Sequence, residues 1–288
     1  MNLKAYITLF RPANVVTALA DILAGMAIVG FVWKDNTPIF LLLSTIGLYG
    51  GGVVLNDYFD VSIDIKERPE RPIPSGKVSK KSALVFGILL LGMGLGFAFL
   101  YQITSGWIAF SIIVLILTYN RFAKHHSVFG PIVMGMCRGG NLILGMSLVS
   151  EIKTFEISLS ILPIFYIAAI TMVSRGEVHG GKKIPLLLAG VLYFVVFICI
   201  SYLSFRLGNL MKSIPFVVLH IAMVIPPLIR AHQNPIGPMI GKAVKMGVIT
   251  LILLNASFAA SFGFLPTAIV IFCLLPLSLV LAKSFSVT

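Results

Sequence analysis

Apolar stretches of about 17 to 25 residues recur along the 288-residue chain, separated by short polar segments. A stretch of this length crosses a hydrocarbon core of about 30 Å as an α-helix. The last two stretches are separated only by Gly263-Phe264-Leu265-Pro266, so nine spans and one interfacial piece are the alternative to ten. We expect an all-α membrane bundle of nine to ten helices in a single domain, residues 1–288. The predicted spans are 13–33, 38–57, 82–102, 104–120, 128–149, 157–174, 184–205, 213–231, 241–262 and 265–283.

Composition and charge support a multi-pass protein of the cell membrane. The chain is 58% hydrophobic and 11% charged, which excludes an ordinary soluble globular domain. Its net charge is +12, but the basic residues lie in short loops between spans, so no nucleic-acid partner is expected. One set of loops carries 17 Lys and Arg residues and the alternate set carries 4. Because cytoplasmic loops are enriched in Lys and Arg, the N-terminus and the loops near residues 65 and 175 are predicted to be cytoplasmic.

Three acids and one amide lie at the end of the second predicted span: Asp57, Asp60, Asp64 and Asn56. If the helix of the span continues, the three carboxylates share one helical face. Like charges so placed repel each other, and a divalent metal or a basic partner relieves that repulsion. The alternative is that these polar residues only end the helix at the membrane interface. Carboxylate and amide oxygens suit Mg²⁺, which is commonly held by one or two protein carboxylates and substrate phosphate oxygens.

The segment after the acids is basic and rich in proline. It contains Lys66, Arg68 and Arg71, and arginine binds phosphate oxygens in a bidentate manner. Pro69, Pro72 and Pro74 predict an extended, stiff loop rather than a helix. Acids and bases side by side at the membrane surface indicate a site for a metal and a diphosphate.

These residues resemble a known family. The pattern NDxxDxxxD at 56–64, followed by RPERPIPSGKVS at 68–79, is similar to the first aspartate motif of the UbiA superfamily of intramembrane prenyltransferases. Arg11-Pro12-Ala13-Asn14 is similar to the RPxN entry of that family. Tyr119-Asn120-Arg121 with Lys124 matches the place of its Tyr and basic diphosphate contacts.

The resemblance implies a bundle of about nine helices with a central cavity open to the cytoplasmic side, and it implies roles for the matching residues. Mg²⁺ binds an isoprenyl diphosphate, and the prenyl group passes to a lipophilic acceptor. Asp60, Asp64, Tyr119 and Glu177 are the catalytic candidates. The metal ligands are Asn56, Asp57, Asp60, Asp64 and Glu177. The diphosphate contacts are Arg11, Asn14, Lys66, Arg68, Arg71, Arg121, Lys124, Arg175 and Lys182.

The second aspartate motif of the family, commonly DxxxD after the sixth span, is incomplete here. The corresponding stretch, residues 174–183, places Glu177 at the first Asp position and Gly181 at the second. The first motif is therefore expected to carry most of the metal binding. His179 is a candidate ligand or base, or alternatively a solvated loop histidine. The variant RGEVHGG most resembles the EboC-type branch of UbiA-like proteins.

Two charges fall inside predicted spans, Asp21 and Arg138. Charged groups at membrane depth are costly unless they are paired or face a polar cavity. We expect Arg138, with Asn141, to line the cavity beneath the diphosphate. The alternative for either charge is a purely structural pairing with the backbone or with another helix.

The sequence predicts an Mg²⁺-dependent prenyltransferase acting on an aromatic or other lipophilic acceptor. Two alternatives lie within the superfamily: terpene cyclisation, and geranylgeranyl transfer to geranylgeranylglyceryl phosphate. A third alternative, of a different class, is a non-catalytic protein that binds or transports isoprenoids or lipids, and the incomplete second motif is its main support.

Overall fold

The structure is a computed structural model that describes residues 2–31 and 38–285. All regular elements within these residues are helical, as predicted. They are α1 (Leu3–Phe10), α2 (Pro12–Ile28), α3 (Pro38–Glu67), α4 (Lys80–Tyr101), α5 (Ile103–Thr118) with a π-helical turn (Tyr119–Ala123), α6 (Phe129–Met146), α7 (Thr154–Ser158), α8 (Ile161–Ser174), α9 (Lys183–Arg206), α10 (Leu210–Gln233), α11 (Gly237–Ser261) and α12 (Leu265–Ser284).

Eight of the described helical stretches are long and apolar enough to cross a membrane, and a ninth is the pair α1 and α2, bent by 44°. Both α11 and α12 are among the eight, so the alternative of a merely interfacial last piece is not supported. The predicted span 128–149 corresponds to α6, which is not among them. Arg138 and Asn141 reduce the hydropathy of α6, yet it packs within the bundle against α2, α5 and α8.

Two helix ends differ from the sequence prediction. The first predicted span extends to residue 33, whereas α2 ends at Ile28 because Gly30 adopts a left-handed conformation at φ 70°. Residues 32 and 33 lie outside the described part of the chain. In contrast, α3 continues ten residues beyond the predicted end of its span, to Glu67. The acidic motif is therefore helical throughout, as the shared-face interpretation required.

The proline-rich segment after α3 is not extended, so that prediction was wrong. It folds into consecutive turns, in which the backbone N–H of Ser75 donates to Arg71 and that of Gly76 donates to Ile73. The side chains of Ile73 and Val78 are buried and join Leu9 of α1 in a small apolar cluster. Burial of these two side chains stabilises the turns and holds the segment close to the end of α3.

Glycines let neighbouring helices approach closely. A Cβ built on Gly47 of α3 would lie 2.5 Å from the carbonyl oxygen of Leu90 in α4, and Gly94 faces the backbone of Ser44 in the same way. Gly25 of α2 and Gly145 of α6 form a similar contact. Small residues at helix interfaces are the usual means of close packing inside membranes, where apolar surface gives no preference for protein over lipid.

The centre of the bundle is α11. Of the 18 residues in its apolar stretch, 83% are buried. The corresponding share in the seven other candidate spans of the described ranges is 28% to 61%. It contacts α2, α8, α9, α10 and α12. The C-terminal ends of α3, α5 and α8 meet at one end of the bundle, where they surround a cavity.

We predict that Gly94→Ala destabilises the bundle. The new Cβ would lie 2.7 Å from the carbonyl oxygen of Ser44 and 2.8 Å from the amide nitrogen of Leu48, and these backbone atoms cannot move aside. The cost of such overpacking is about 1–3 kcal/mol and should appear as a lower thermal midpoint in detergent. The matched control is Gly92→Ala on the same helix, where a Cβ meets nothing within 4 Å. Equal midpoints for the two variants would contradict the close α3–α4 contact.

Candidate active site

A cavity of about 540 Å³ opens between the ends of α3, α5 and α8. Its outer wall is charged, with Asp60, Asp64 and Arg71 among the lining residues. Below the mouth, a section of its wall is apolar and includes Ile116 and Ile170. The cavity therefore accepts a charged group at its mouth and an apolar group below it.

The carboxylates of the first motif do not all face this cavity. Asp60 and Asp64 line it, whereas Asp57 lies to one side, with 5% of its side chain exposed. The Asp57 carboxylate accepts hydrogen bonds from Arg11 at 2.6 Å and from Arg71 at 3.3 Å. Arg71 also donates to Asp64 at 2.8 Å, so this guanidinium joins two acids that are two turns apart on α3. Asp57 therefore anchors Arg11 and Arg71 and does not face the cavity as the predicted metal ligand would.

Lys124 forms an ion pair with Asp60 across the cavity mouth. Burial lowers the pKa of the Lys124 ammonium, and the attraction of the Asp60 carboxylate only partly opposes that shift. Arg71 responds in the other direction: burial lowers its pKa, but the carboxylates of Asp57 and Asp64 outweigh burial and raise it. Arg71 is therefore a permanent cation, whereas the ammonium of Lys124 is more acidic than that of an ordinary lysine.

The side-chain amide of Asn56 lies between the acidic motif and the π-helical turn. In one orientation it donates to Oδ1 of Asn120 at 2.9 Å. In the other it donates to Asp60 at 3.2 Å and accepts from Lys124 at 3.0 Å. Asn56 thus ties the two sides of the cavity mouth together and presents a neutral oxygen beside Asp60.

The loop after α8 closes the third side of the mouth. Glu177 lines the cavity and accepts a hydrogen bond from Arg68 at 3.1 Å. His179 also lines the mouth, with 77% of its side chain exposed, and lies 3.1 Å from Glu67. Arg175 lines the cavity and donates to the backbone carbonyl of His126. One ion pair, Arg68 with Glu177, and one hydrogen bond, His179 with Glu67, therefore link the end of α3 to the α8–α9 loop.

Most predicted site residues are brought to this cavity, and four are not. The predicted residues that line it are Arg11, Asn14, Asn56, Asp60, Asp64, Arg68, Arg71, Tyr119, Lys124, Arg138, Asn141, Arg175, Glu177 and His179. Besides Asp57, the residues outside the lining are Lys66, Arg121 and Lys182, whose side chains are exposed. Arg121 lies instead near the ring of Phe122, at 6.0 Å.

At the depth of the membrane, Arg138 and Asp21 form a buried ion pair with 2.7 Å between Nε and Oδ2. Asn141 donates to Asp21 at 2.8 Å and Asn255 of α11 donates to it at 2.7 Å. Thr45 of α3 completes the network by donating to Asn141 at 2.7 Å. Arg138 lines the cavity as predicted, whereas Asp21 has the structural role that was its alternative. We did not single out Asn255 and Thr45, although a polar residue inside an apolar span was the available signal.

Mg²⁺ fits the donor set at the mouth. Among the described residues no group of three or more His, Cys, Asp or Glu side chains is already arranged as a metal cage. Asp60 and Asp64 nevertheless face the cavity one turn apart, beside the amide oxygen of Asn56. Proteins usually bind Mg²⁺ through one or two carboxylates, and substrate phosphate oxygens take other coordination positions of the ion. Asp60 and Asp64 match this pattern.

We predict that Asp57→Asn lowers stability through Arg11 and Arg71. Loss of the carboxylate leaves the guanidinium groups of Arg11 and Arg71, each with 12% of its side chain exposed, with one acid fewer, a cost of about 3 kcal/mol. The thermal midpoint in detergent should fall. The control is Glu70→Gln, which removes an exposed acid from the following loop. An unchanged midpoint for Asp57→Asn would show that its pairs contribute little.

Comparison with known proteins agrees with this geometry. Residues 18–235 match the model of the UbiA prenyltransferase family. A digeranylgeranylglyceryl phosphate synthase from Thermococcus sibiricus is 26% identical over 271 residues, covering 90% of this chain and 97% of that protein. The corresponding enzyme from Methanospirillum hungatei is 32% identical over 187 residues, covering 64% of this chain and 65% of that protein. A UbiA homologue from Archaeoglobus fulgidus, solved with GPP and Mg²⁺, has the same fold, with a TM-score of 0.66, 14% identity, and coverage of 90% of this chain and 99% of that one. The chain belongs to the UbiA prenyltransferase family.

Proposed function

We propose that this protein transfers an isoprenyl group from its diphosphate to a lipophilic acceptor within the membrane, with Mg²⁺ as cofactor. The observation that carries the proposal is the cavity mouth, where Asp60 and Asp64 lie beside Arg71 and Lys124 above an apolar wall. A prenyl diphosphate has the matching shape, with a charged head and an apolar tail. The activity for which the Thermococcus relative is named, and the GPP and Mg²⁺ bound to the Archaeoglobus protein, support it.

Asp60, Asp64 and the oxygen of Asn56 would hold the metal, with Glu177 on the facing loop. Bound Mg²⁺ supplies positive charge to the diphosphate oxygens as the allylic C–O bond breaks. Because Asp60 and Asp64 are paired with Lys124 and Arg71, these two cations become available to the diphosphate when the acids turn to a metal. The exchange keeps every charge compensated and gives the leaving group preorganised donors.

Arg68, Arg11 and Arg175 complete the proposed diphosphate contacts. Arg68 must leave Glu177 to reach a phosphate oxygen, so binding would replace its present ion pair. Tyr119 lies in the wall beside Lys124, on a π-helical turn, an irregularity that is frequent at functional sites. A lining carboxylate or His179 would accept the proton that the acceptor loses.

The apolar lower wall takes the reacting end of the prenyl chain. Ile112, Ile116, Ile167 and Ile170 line it and exclude water, which would otherwise capture the allylic cation. We assign the whole chain to one domain because all parts of the cavity come from the same bundle. The assignment to the EboC-type branch stays a prediction.

A more specific candidate for the acceptor is a glycerol-based lipid. It is favoured by the names of the relatives from Thermococcus and Methanospirillum, both digeranylgeranylglyceryl phosphate synthases. The sequence differs from a complete second motif at Gly181, which lines no part of the cavity. Glu177 is then the one acid of that motif available to the site.

The proposal is tested with Asp60→Asn and Asp64→Asn. Each replacement keeps the side-chain shape but removes a ligand charge, so Mg²⁺-dependent binding of geranylgeranyl diphosphate should weaken at least about tenfold. Binding is measured by calorimetry in detergent with and without Mg²⁺, and Glu70→Gln is the control with unchanged affinity. Wild-type affinity in both variants would refute the metal site.

Release of pyrophosphate from labelled geranylgeranyl diphosphate separates the possible activities. Release that depends on an added acceptor is expected for the transferase. Release without an acceptor would instead indicate cyclisation. Binding without release in the presence of geranylgeranylglyceryl phosphate and lipophilic phenols would indicate a carrier.

We also propose that the cavity mouth faces the cytoplasm. The charge distribution supports this orientation, because the basic loops lie on the side of the acidic motif. After Cys137, Cys199 and Cys273 are replaced by Ser, a cysteine at Ser75 should react with an impermeant maleimide only in inside-out vesicles. A cysteine at Lys153 should react only in right-side-out vesicles, and the reverse pattern would overturn the orientation.

A further inference from the structure

One face of α3 follows the cavity from its charged mouth to its floor. The α3 residues that line the cavity include Tyr49, Gly52, Val53, Asn56, Asp60 and Asp64. Asp60 lies at the mouth, and the ring of Tyr49 lies at the floor, 5.7 Å from the guanidinium carbon of Arg138. Between these levels Gly52 contributes no side chain. It precedes Asp60 by eight residues, which is about 12 Å along the helix axis.

The side chain of Ile116 on α5 lies opposite Gly52. A Cβ built on Gly52 would lie 3.2 Å from Cδ1 of Ile116 and 3.5 Å from its Cγ1 and Cγ2. Both residues line the cavity, and Gly52 is partly exposed, so a bound molecule can reach this position. A side chain at position 52 would therefore narrow the apolar section of the cavity between α3 and α5.

Helix packing does not require a glycine at this position. Gly47 and Gly51 of α3 do pack closely, because a Cβ on either would come within 3 Å of a backbone oxygen of α4. At Gly52 the nearest atoms belong instead to the movable end of one isoleucine side chain. Glycine is less favourable than alanine in the interior of a helix. The space that Gly52 leaves in the cavity is therefore the better explanation for its missing side chain.

The depth of Gly52 determines which prenyl chains would reach it. An isoprene unit adds four carbons to the chain, which extend over about 4.5 Å at ordinary bond lengths. With the diphosphate at Asp60, the distance to Gly52 thus corresponds to between two and three units. A dimethylallyl group, which is one unit, ends above Gly52. A geranylgeranyl group, which is four units, has to extend past it.

We propose that Gly52 determines the length of the prenyl chain that the protein accepts, because its missing side chain leaves room for the third and fourth isoprene units between α3 and α5. This inference rests on the proposed prenyl transfer and adds a determinant of chain length to it. Gly52 would contact the prenyl chain and none of the reacting atoms. It therefore acts on substrate specificity.

The test compares dimethylallyl diphosphate with geranylgeranyl diphosphate as ligands of the wild-type protein and of Gly52→Leu. Affinities are measured by calorimetry with Mg²⁺ in dodecyl maltoside, with protein-free micelles as the blank. The leucine side chain would fill the space beside Ile116, so the affinity for geranylgeranyl diphosphate should fall at least about tenfold. The affinity for dimethylallyl diphosphate should not change, which also shows that the variant is folded. An unchanged affinity for geranylgeranyl diphosphate would overturn the proposal.

A double variant tests whether the effect is steric. Ile116→Ala removes three carbons from the opposite wall, so in Gly52→Leu with Ile116→Ala the affinity for geranylgeranyl diphosphate should recover. Failure to recover, while dimethylallyl diphosphate still binds, would contradict a steric role. The matched control is Gly92→Leu on α4, where a Cβ meets nothing within 4 Å, and both affinities should stay at the wild-type values.

A smaller substitution decides the question if Gly52→Leu does not fold. Gly52→Ala adds one carbon, whose closest contact is the movable Cδ1 of Ile116. It should lower the affinity for geranylgeranyl diphosphate relative to that for dimethylallyl diphosphate. The wild-type ratio of the two affinities in this variant would overturn the proposal.

The wild-type measurements separate this inference from the proposed function. If the wild-type protein binds neither diphosphate in the presence of Mg²⁺, the proposed prenyl transfer fails. If it binds both, and the substitutions at Gly52 leave the ratio of the two affinities unchanged, only the role of Gly52 fails.

Discussion

The buried network around Asp21 is the interaction on which the structure most depends. Polar groups inside a membrane must find partners within the protein, because neither water nor lipid supplies them. Asp21, Arg138, Asn141 and Asn255 meet this requirement only if α2, α6 and α11 pack together in one arrangement. The same arrangement defines the floor of the cavity. A requirement of folding has therefore placed a charged residue, Arg138, in the wall of the cavity.

The mouth of the cavity follows a different electrostatic rule. Its acids and bases neutralise each other, with Asp60 against Lys124, Asp64 against Arg71 and Glu177 against Arg68. These pairs are near solvent and can be exchanged. A metal with a diphosphate carries charges of both signs, so it can replace the present pairs without leaving an isolated charge. The compensated charges that stabilise the mouth also make it suited to its proposed ligand.

Between the two charged layers lies an apolar section of wall, which includes Ile116 and Ile170. The cavity is thus polar at both ends and apolar between them. The charged mouth and the apolar section match the charged head and the apolar chain of the proposed prenyl diphosphate. Close packing at the glycine contacts of α3 with α4, and of α2 with α6, keeps the walls near enough for both layers to line one space.

The sequence alone determined the membrane class, most of the spans and the position of the acidic motif, because these depend on local hydropathy and helical periodicity. It also indicated most of the cavity residues through resemblance to the family. Only the tertiary structure decided that Asp57 anchors arginines, that Lys66, Arg121 and Lys182 lie outside the cavity wall, and that the prolines form turns. It alone paired Asp21 with Arg138, which are 117 positions apart in the chain. Local patterns specify helices, whereas the direction of a side chain and the partner of a buried charge depend on which helices pack together.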